Sequence, residues 1–374
     1  MTTTKQLFST VSSQGNLTVE LKTVELAEPK DHEVIVKIEL APINPSDMWP
    51  MFSLADLSQA KFNPDSDGAK LTAPLFPGMT QAVRTRLDQA CPVGNEASGI
   101  VVKTGSSDAA KALMGKRVAI LSGSTFAEYS CAPAQMCLPH AETTTAEQAC
   151  SSFVNPLTAL CMIETMRKEG HKALVHTAAA SNLGQMLNRI CIADGIDLIN
   201  IVRKPEQEQI LRDIGAKYVV NSSSESYMSD LYMAIKSTGA TLAFDATGGG
   251  QLASDILTAM EAVLTEGVTG LNTYGAPEHK QVYLYGGLDV SPTMLKRAYG
   301  MSWGIGGWLL MRTLATLEPN RVIELNKRVA TEIGTTFAST YSGEFSLEEM
   351  LKPENIALYN AKKTGEKYLV NPTK

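Results

Sequence analysis

The 374-residue chain lacks several things that would have settled its class at once. No run approaches the roughly 18 apolar residues of a membrane span, and the first ten residues, MTTTKQLFST, carry no charged start with an apolar core. The expectation is a cytoplasmic protein with no membrane partner. Lys and Arg form no long cluster and the net charge is −6, so a phosphate-tracking groove for nucleic acid is not expected. The six cysteines, Cys91, Cys131, Cys137, Cys150, Cys161 and Cys191, have no framework spacing, which points to reduced thiols. Glycine is scarce where it matters most, in a strand-to-helix turn discussed below.

What is present is an ordinary globular composition, 44% hydrophobic and 19% charged, over a length that suits about two domains. Up to about residue 150, short β-branched runs alternate with turns: EVIVKIEL from Glu33, SGIVVKTG from Ser98, KRVAILSG from Lys116 and TFAEYSCAP from Thr125. This spacing predicts an antiparallel, barrel-like β domain. From Ala146 the pattern turns helical as far as Gly170, and strands and helices then alternate. ALVHTA, LINIVR, YVV, TLAFDAT and QVYLYGG are nearly continuously apolar, as strands covered by helices on both faces must be. The fold class is therefore α/β, a doubly wound parallel sheet beside a β-barrel domain, with a final helix and strand that can return to the first domain.

Between the first of these strands and its helix lies HTAAASNLGQM, His176 to Met186, where only Gly184 is glycine. A pyrophosphate site needs close backbone approach, N–H groups at a helix N-terminus and small side chains where helix meets strand. Ala178, Ala179 and Ala180 are small, Ser181 and Asn182 are N-cap types, and Leu183 and Gly184 open the helix. A turn that binds nothing has the same composition, and these residues alone leave both readings open. At the end of the next strand stand Arg203 and Lys204 with no acidic residue before Glu206, which favours the extra phosphate of NADP over NAD or, alternatively, is a pair of solvated cations. The strand TLAFDAT ends in Asp245, Thr247 and the glycines from Gly248, which allow a ligand close approach.

Taken in order, EVIVKIELAPINPSD, PVGNEASGIVV, NPLTAL, ALVHTAAASNLG and KKTGEKYLV resemble the motifs of the medium-chain dehydrogenase/reductase superfamily, in its zinc-independent quinone oxidoreductase branch. The resemblance spans nearly the whole chain. It implies a GroES-like catalytic domain over 1–152 and 318–374, a Rossmann NADP-binding domain over 153–317, NADPH as cofactor and a homodimer. It places Asn44, Asp47 and Thr158 at the reacting centre, and Ala179 to Gly184, Arg203, Lys204, Thr247, Gly248, Tyr285, Gly286 and Lys367 along the cofactor. Two departures stand out. Ser181 occupies a position where the superfamily's AxxGxxG turn has glycine. Asn44, Asn95 and approximately Val154 occupy the positions of the catalytic zinc ligands, and no metal is expected. Cys131, Cys137 and His140 have a poor metal spacing.

Without a metal, the resemblance implies hydride transfer to a quinone or α,β-unsaturated carbonyl, in which charge develops on an oxygen that a hydrogen-bond donor can stabilise. Two alternatives remain: an enoyl-thioester reductase, which in that branch uses a tyrosine soon after NPSD whereas the first here is Tyr129, and a non-catalytic NADPH-binding protein. The long stretch 48–94 carries Trp49, Phe52, Phe62 and Phe76, which suit either a planar substrate or a small core, and Arg84 and Arg86, which suit either an anionic substrate or a solvated surface. His176 reads as a core histidine, and Lys367 reads either as a cofactor contact or as a solvated strand residue.

Overall fold

A computed structural model describes residues 2–65 and 68–374. The chain forms two compact units, one of residues up to Val154 together with Asn326–Lys374, the other Asn155–Leu325.

The first unit is built from antiparallel strands. Thr2–Val11 pairs with Asn16–Leu26 along its whole length through a tight turn in which Gly15 takes φ +79°. Alternate residues, Leu7, Val11, Leu17, Val19 and Leu21, are buried, so period-two patterning sets which face is core. This hairpin was not singled out in the sequence. A second sheet joins Glu33–Pro42 to Glu96–Thr104, Tyr129–Pro133 and the C-terminal strand Tyr368–Val370. The expected return of the C-terminus to the first domain is thus made by backbone pairing at Leu369 and Val370.

The described residues of the stretch 48–94 pack around the first sheet. Its hairpin, Lys61–Asp65 with Gly68–Pro74, pairs with Asn16–Leu26. Phe52 is buried in the core, Phe62 packs partly against it, and Trp49 and Phe76 stand about half exposed. Arg86 is a structural strap. Its guanidinium donates to Pro50 O and Ser53 Oγ at 2.9 and 2.8 Å and to Ser9 O and Oγ at 3.0 and 2.9 Å, which removes the anionic-substrate reading for that residue.

The second unit holds six parallel strands in the order Tyr218–Asn221, Leu198–Val202, Leu174–His176, Leu242–Asp245, Lys280–Leu284 and Trp303–Gly307. The first strand in sequence therefore lies between the second and the fourth. This is the Rossmann strand order, whose ligand crevice opens at the carboxyl ends of the strands where the order reverses. The central strands Leu198–Val202, Leu174–His176 and Leu242–Asp245 are buried on both faces, as their nearly continuous apolar character requires. Among the described residues no helix is long and apolar enough to cross a membrane.

Candidate functional site

At the reversal point the chain leaves Leu174–His176, turns through residues 177–181 and enters the helix Asn182–Asp194. Ala178 takes φ +49°, a left-handed conformation that L residues adopt at a cost, and the turn keeps it without glycine. Ser181 is the N-cap, extended at φ −64° and ψ 164°, and its Oγ accepts the Gly184 N–H at 3.2 Å. Gly184 has no room for a side chain: a Cβ there would stand 2.1 Å from the Ala179 carbonyl oxygen. That tight packing of the helix against the turn is what the last glycine of a dinucleotide-binding turn provides, and it sets the positive end of the helix dipole at the carboxyl edge of the sheet. Arg203 and Lys204 are exposed at the end of the neighbouring strand, on the next element of the same edge.

The adjacent strand ends carry a connected set of polar groups. Buried Asp245 accepts from Thr177 Oγ1 at 2.6 Å, Thr247 N at 2.8 Å and Gly248 N at 3.1 Å, which fixes the turn leading into the glycines. His176 is fully buried, and its Nε2 lies 2.7 Å from the Tyr285 hydroxyl. Burial pushes this imidazole down to about 3, so it is neutral at physiological pH, as a core histidine should be.

The first unit contains a second cluster, in which side chains bond one another and accept from backbone N–H groups. Asn44 donates from N to Asp47 Oδ2 at 2.8 Å and from Nδ2 to Glu96 Oε1 at 2.9 Å. Asn95 donates from N to Asp47 Oδ1 at 2.9 Å and from Nδ2 to Ser46 Oγ at 3.0 Å. The other oxygen of Glu96 accepts from Phe153 N and Val154 N at 2.8 and 3.0 Å. Lys367 donates to Ser151 Oγ at 2.8 Å, and that hydroxyl lies 2.7 Å from the Tyr341 hydroxyl. Asn44, Asp47, Glu96, Ser151 and Lys367 are all buried. Burial pushes the Asp47 carboxyl up to about 7, helped by Glu96 and opposed by the N–H groups of Asn44 and Asn95. Burial also raises Glu96 and lowers Lys367, while each of that pair favours the charged form of the other.

Residues 30–144 match the Alcohol dehydrogenase GroES-like domain family. Over the full length, the fold superposes on the crystal structure of a protein from Mesorhizobium loti assigned as an NADPH:quinone reductase, with a TM-score of 0.73, 25% identity and 100% of both chains covered. The chain belongs to the medium-chain dehydrogenase/reductase superfamily. Among curated superfamily relatives, the mitochondrial enoyl-[acyl-carrier-protein] reductase of Xenopus tropicalis is 29% identical over 57% of this chain and 55% of its own length. A Leishmania amazonensis protein assigned as a quinone oxidoreductase is 31% identical over 42% of this chain and 45% of its own. The matching segments span about half the length of these relatives.

Set against the superfamily pattern, the expected residues fall into two groups. Ala179 to Gly184, Arg203, Lys204, Thr247, Gly248, Tyr285 and Gly286 all lie at or just beyond the carboxyl edge of the Rossmann sheet. Thr158 is buried in the helix Val154–Glu169 of the same unit. Asn44 and Asp47 belong to the side-chain cluster of the other unit, and so does Lys367. Its ammonium is buried against Ser151, which rules out the solvated-strand reading. Asn44 and Asn95, at the superfamily's metal positions, are engaged with Glu96, Asp47 and Ser46. Cys131 donates to Glu33 at 3.7 Å, Cys137 to Pro133 O at 3.4 Å, and His140 Nε2 lies 3.0 Å from Ser152 Oγ. Sequence reasoning missed Glu96, Ser151 and Tyr341 as cluster members. The glutamate inside PVGNEASGIVV was the available signal for Glu96, whereas nothing local marks Tyr341.

Proposed function

We propose that the protein is an NADPH-dependent oxidoreductase that transfers hydride to a quinone or an α,β-unsaturated carbonyl without a metal. The observation that carries this reading is the turn at the reversal point of the Rossmann sheet. Gly184 provides the tight packing of helix against turn that a dinucleotide-binding turn needs, and Arg203 and Lys204 stand at the next strand end where an NADP 2′-phosphate would be held. The cofactor would supply the hydride. The chain's own part is to bind and orient it through Ala179 to Gly184, Thr247, Gly248, Tyr285 and Gly286, and to offer hydrogen-bonding groups to substrate from Asn44 and its partners. Asn44 and Asn95 stand where the superfamily's metal ligands would, and neutral amides already bonded within the protein make a poor first shell for zinc.

Likeness to an enoyl reductase over more than half the chain supports a second reading, reduction of an enoyl thioester. NADPH consumption against a panel of quinones, enones and enoyl thioesters separates the two. Turnover of quinones or enones well above thioesters supports the first reading, and the reverse order replaces it with the second. Absence of turnover across the panel, with NADPH still bound, rejects both.

A homodimer is part of the same proposal. Val268, Leu271, Tyr274, Leu288, Val290, Met294, Leu295, Met301, Leu309 and Met311 are exposed within one segment of the second unit, which also contains the edge strand Trp303–Gly307. An exposed apolar stretch beside an unpaired strand edge suits a second copy of the chain. Sedimentation at micromolar concentration tests it, and a monomer there sinks it.

A further inference from the structure

The Asn44 side chain is held in one orientation, and that orientation decides what it can offer a ligand. A primary amide has a donor end and an acceptor end, and the network around it determines which faces which way. Glu96 meets only donors, Asn44 Nδ2 on one oxygen and the N–H groups of Phe153 and Val154 on the other. Burial raises its carboxyl, and these donors and the Lys367 charge oppose that shift in favour of the charged form. A carboxylate so placed accepts only. The NH₂ of Asn44 therefore points to Glu96, which leaves Oδ1 as the end turned away from that carboxylate. That oxygen is buried and has no hydrogen-bond partner. The Asp47 N–H faces the same side chain in a capping-box arrangement, but it donates to the Asn44 main-chain carbonyl at 2.9 Å and makes no side-chain cap bond. A buried acceptor left without a donor costs about 1–3 kcal/mol, which a ligand O–H would recover.

We infer that Glu96, backed by Lys367, is a positioning residue that locks Asn44 as a hydrogen-bond acceptor, and that Asn44 Oδ1 receives the hydroxyl of the reduced substrate. The inference deepens the quinone form of the proposed function and rests on it. When hydride adds with its electron pair to a ring carbon conjugated with the quinone carbonyl, the ring π electrons shift, the C=O π pair moves to oxygen and a solvent proton makes that oxygen an O–H; transfer of the ring-carbon proton to the second oxygen then restores the aromatic hydroquinone. Asn44 recognises that O–H. It does not donate to the anionic oxygen that precedes it, so the donor for that charge must be another group.

The test uses two unreactive probes of matched shape, 4-methoxyphenol with one O–H and 1,4-dimethoxybenzene with none, bound to the whole protein in the presence of NADP. The wild-type protein should bind the phenol roughly tenfold more tightly than the diether, the worth of one such bond. In Asn44→Ala the ratio should fall to about one. In Glu96→Gln, whose amide lets Asn44 turn over, it should fall likewise. A merely structural Glu96 would lower stability in that variant and leave the ratio unchanged. Equal affinity for both probes in the wild type, no binding of either at millimolar concentration, or a ratio that survives Asn44→Ala overturns the inference. Because the readout is binding, a failed NADPH-oxidation panel alongside a tenfold preference would discard the reductase reading alone.

Discussion

The two polar regions of this protein are held by opposite means. At the Rossmann edge the geometry depends on small volume and backbone conformation: Gly184 against the Ala179 carbonyl, Ala178 in a left-handed turn, and a serine cap on the Gly184 N–H. The cations beside it, Arg203 and Lys204, are exposed. In the other unit, buried charges and amides hold one another across long sequence separations, 52 residues from Asn44 to Glu96 and 216 from Ser151 to Lys367. The first arrangement should tolerate changes of polarity and fail on added volume. The second should behave the other way round.

The largest expected effect on cofactor binding comes from volume at the turn. Gly184→Val drives a side chain into the Ala179 carbonyl oxygen, which is backbone and cannot swing aside. Overpacking of this kind costs about 1–3 kcal/mol and occasionally more, and a rigid backbone neighbour places this one at or above the top of that range. NADPH binding by titration should be lost, and a variant that binds as tightly as wild type would break the comparison at its strongest point. Next comes Glu96→Ala, which leaves Lys367 buried without its carboxylate and strips acceptors from Asn44, Phe153 and Val154. Each buried donor left without an acceptor costs about 1–3 kcal/mol before the site relaxes, to be read from urea unfolding.

A pH titration of stability probes the same cluster. The Asp47 carboxyl is raised from its ordinary value near 3.8 to about 7, so the folded protein holds this proton more tightly than the unfolded chain. The stabilisation from this group is full below about 4 and is lost as pH rises through about 7, a change on the order of a few kcal/mol. Asp47→Asn should flatten that fall, and an unchanged profile would show that another group titrates there. Arg203→Asp should follow in size. Loss of a charge-assisted contact to a 2′-phosphate is worth about 1.5–3 kcal/mol, a weakening of NADPH binding of roughly ten- to a hundredfold, with NADH little affected. Equal losses for both cofactors would place the arginine elsewhere than at that phosphate.

How much of this was legible in the sequence follows the same division. The Rossmann strands and helices announce themselves by continuous apolar runs and helical periods, and the turn is local, so HTAAASNLG and Arg203 could be read within 30 residues of one another. The return of the C-terminal strand was legible as a short apolar segment after the last helix, and it pairs at Leu369 and Val370. The N-terminal hairpin was less visible, because KQLFSTV mixes polar and apolar residues and its alternation becomes clear only once Asn16–Leu26 lies beside it. The buried cluster was only half visible. Asn44, Asp47 and Lys367 stood in recognisable motifs, but what they touch is set by pairing between distant strands, and no spacing in the sequence brings Tyr341 to Ser151. Arg86 misled for the same reason: a cation in a long insertion looks solvated or substrate-bound until Ser9 and Pro50 arrive around it.

The smallest effect expected is at the serine that replaces a glycine in the superfamily's turn. Ser181 Oγ already accepts the Gly184 N–H, so the hydroxyl satisfies a helix-terminal donor rather than standing idle. Its backbone, at φ −64° and ψ 164°, is open to any residue, so glycine would gain nothing from its wider conformational range. Ser181→Gly should therefore lower stability by only a few tenths of a kcal/mol, whereas Ser181→Ala, which keeps the bulk but loses the acceptor, should cost about 1 kcal/mol in unfolding experiments. NADPH affinity separates the remaining possibilities. If it stays within about twofold of wild type in Ser181→Gly, the serine acts as a cap and the turn works by its backbone, as the contrast with the side-chain cluster requires. A loss beyond tenfold would mean that the hydroxyl leaves Gly184 to bond phosphate, and the Rossmann edge would then share the side-chain logic of the other unit.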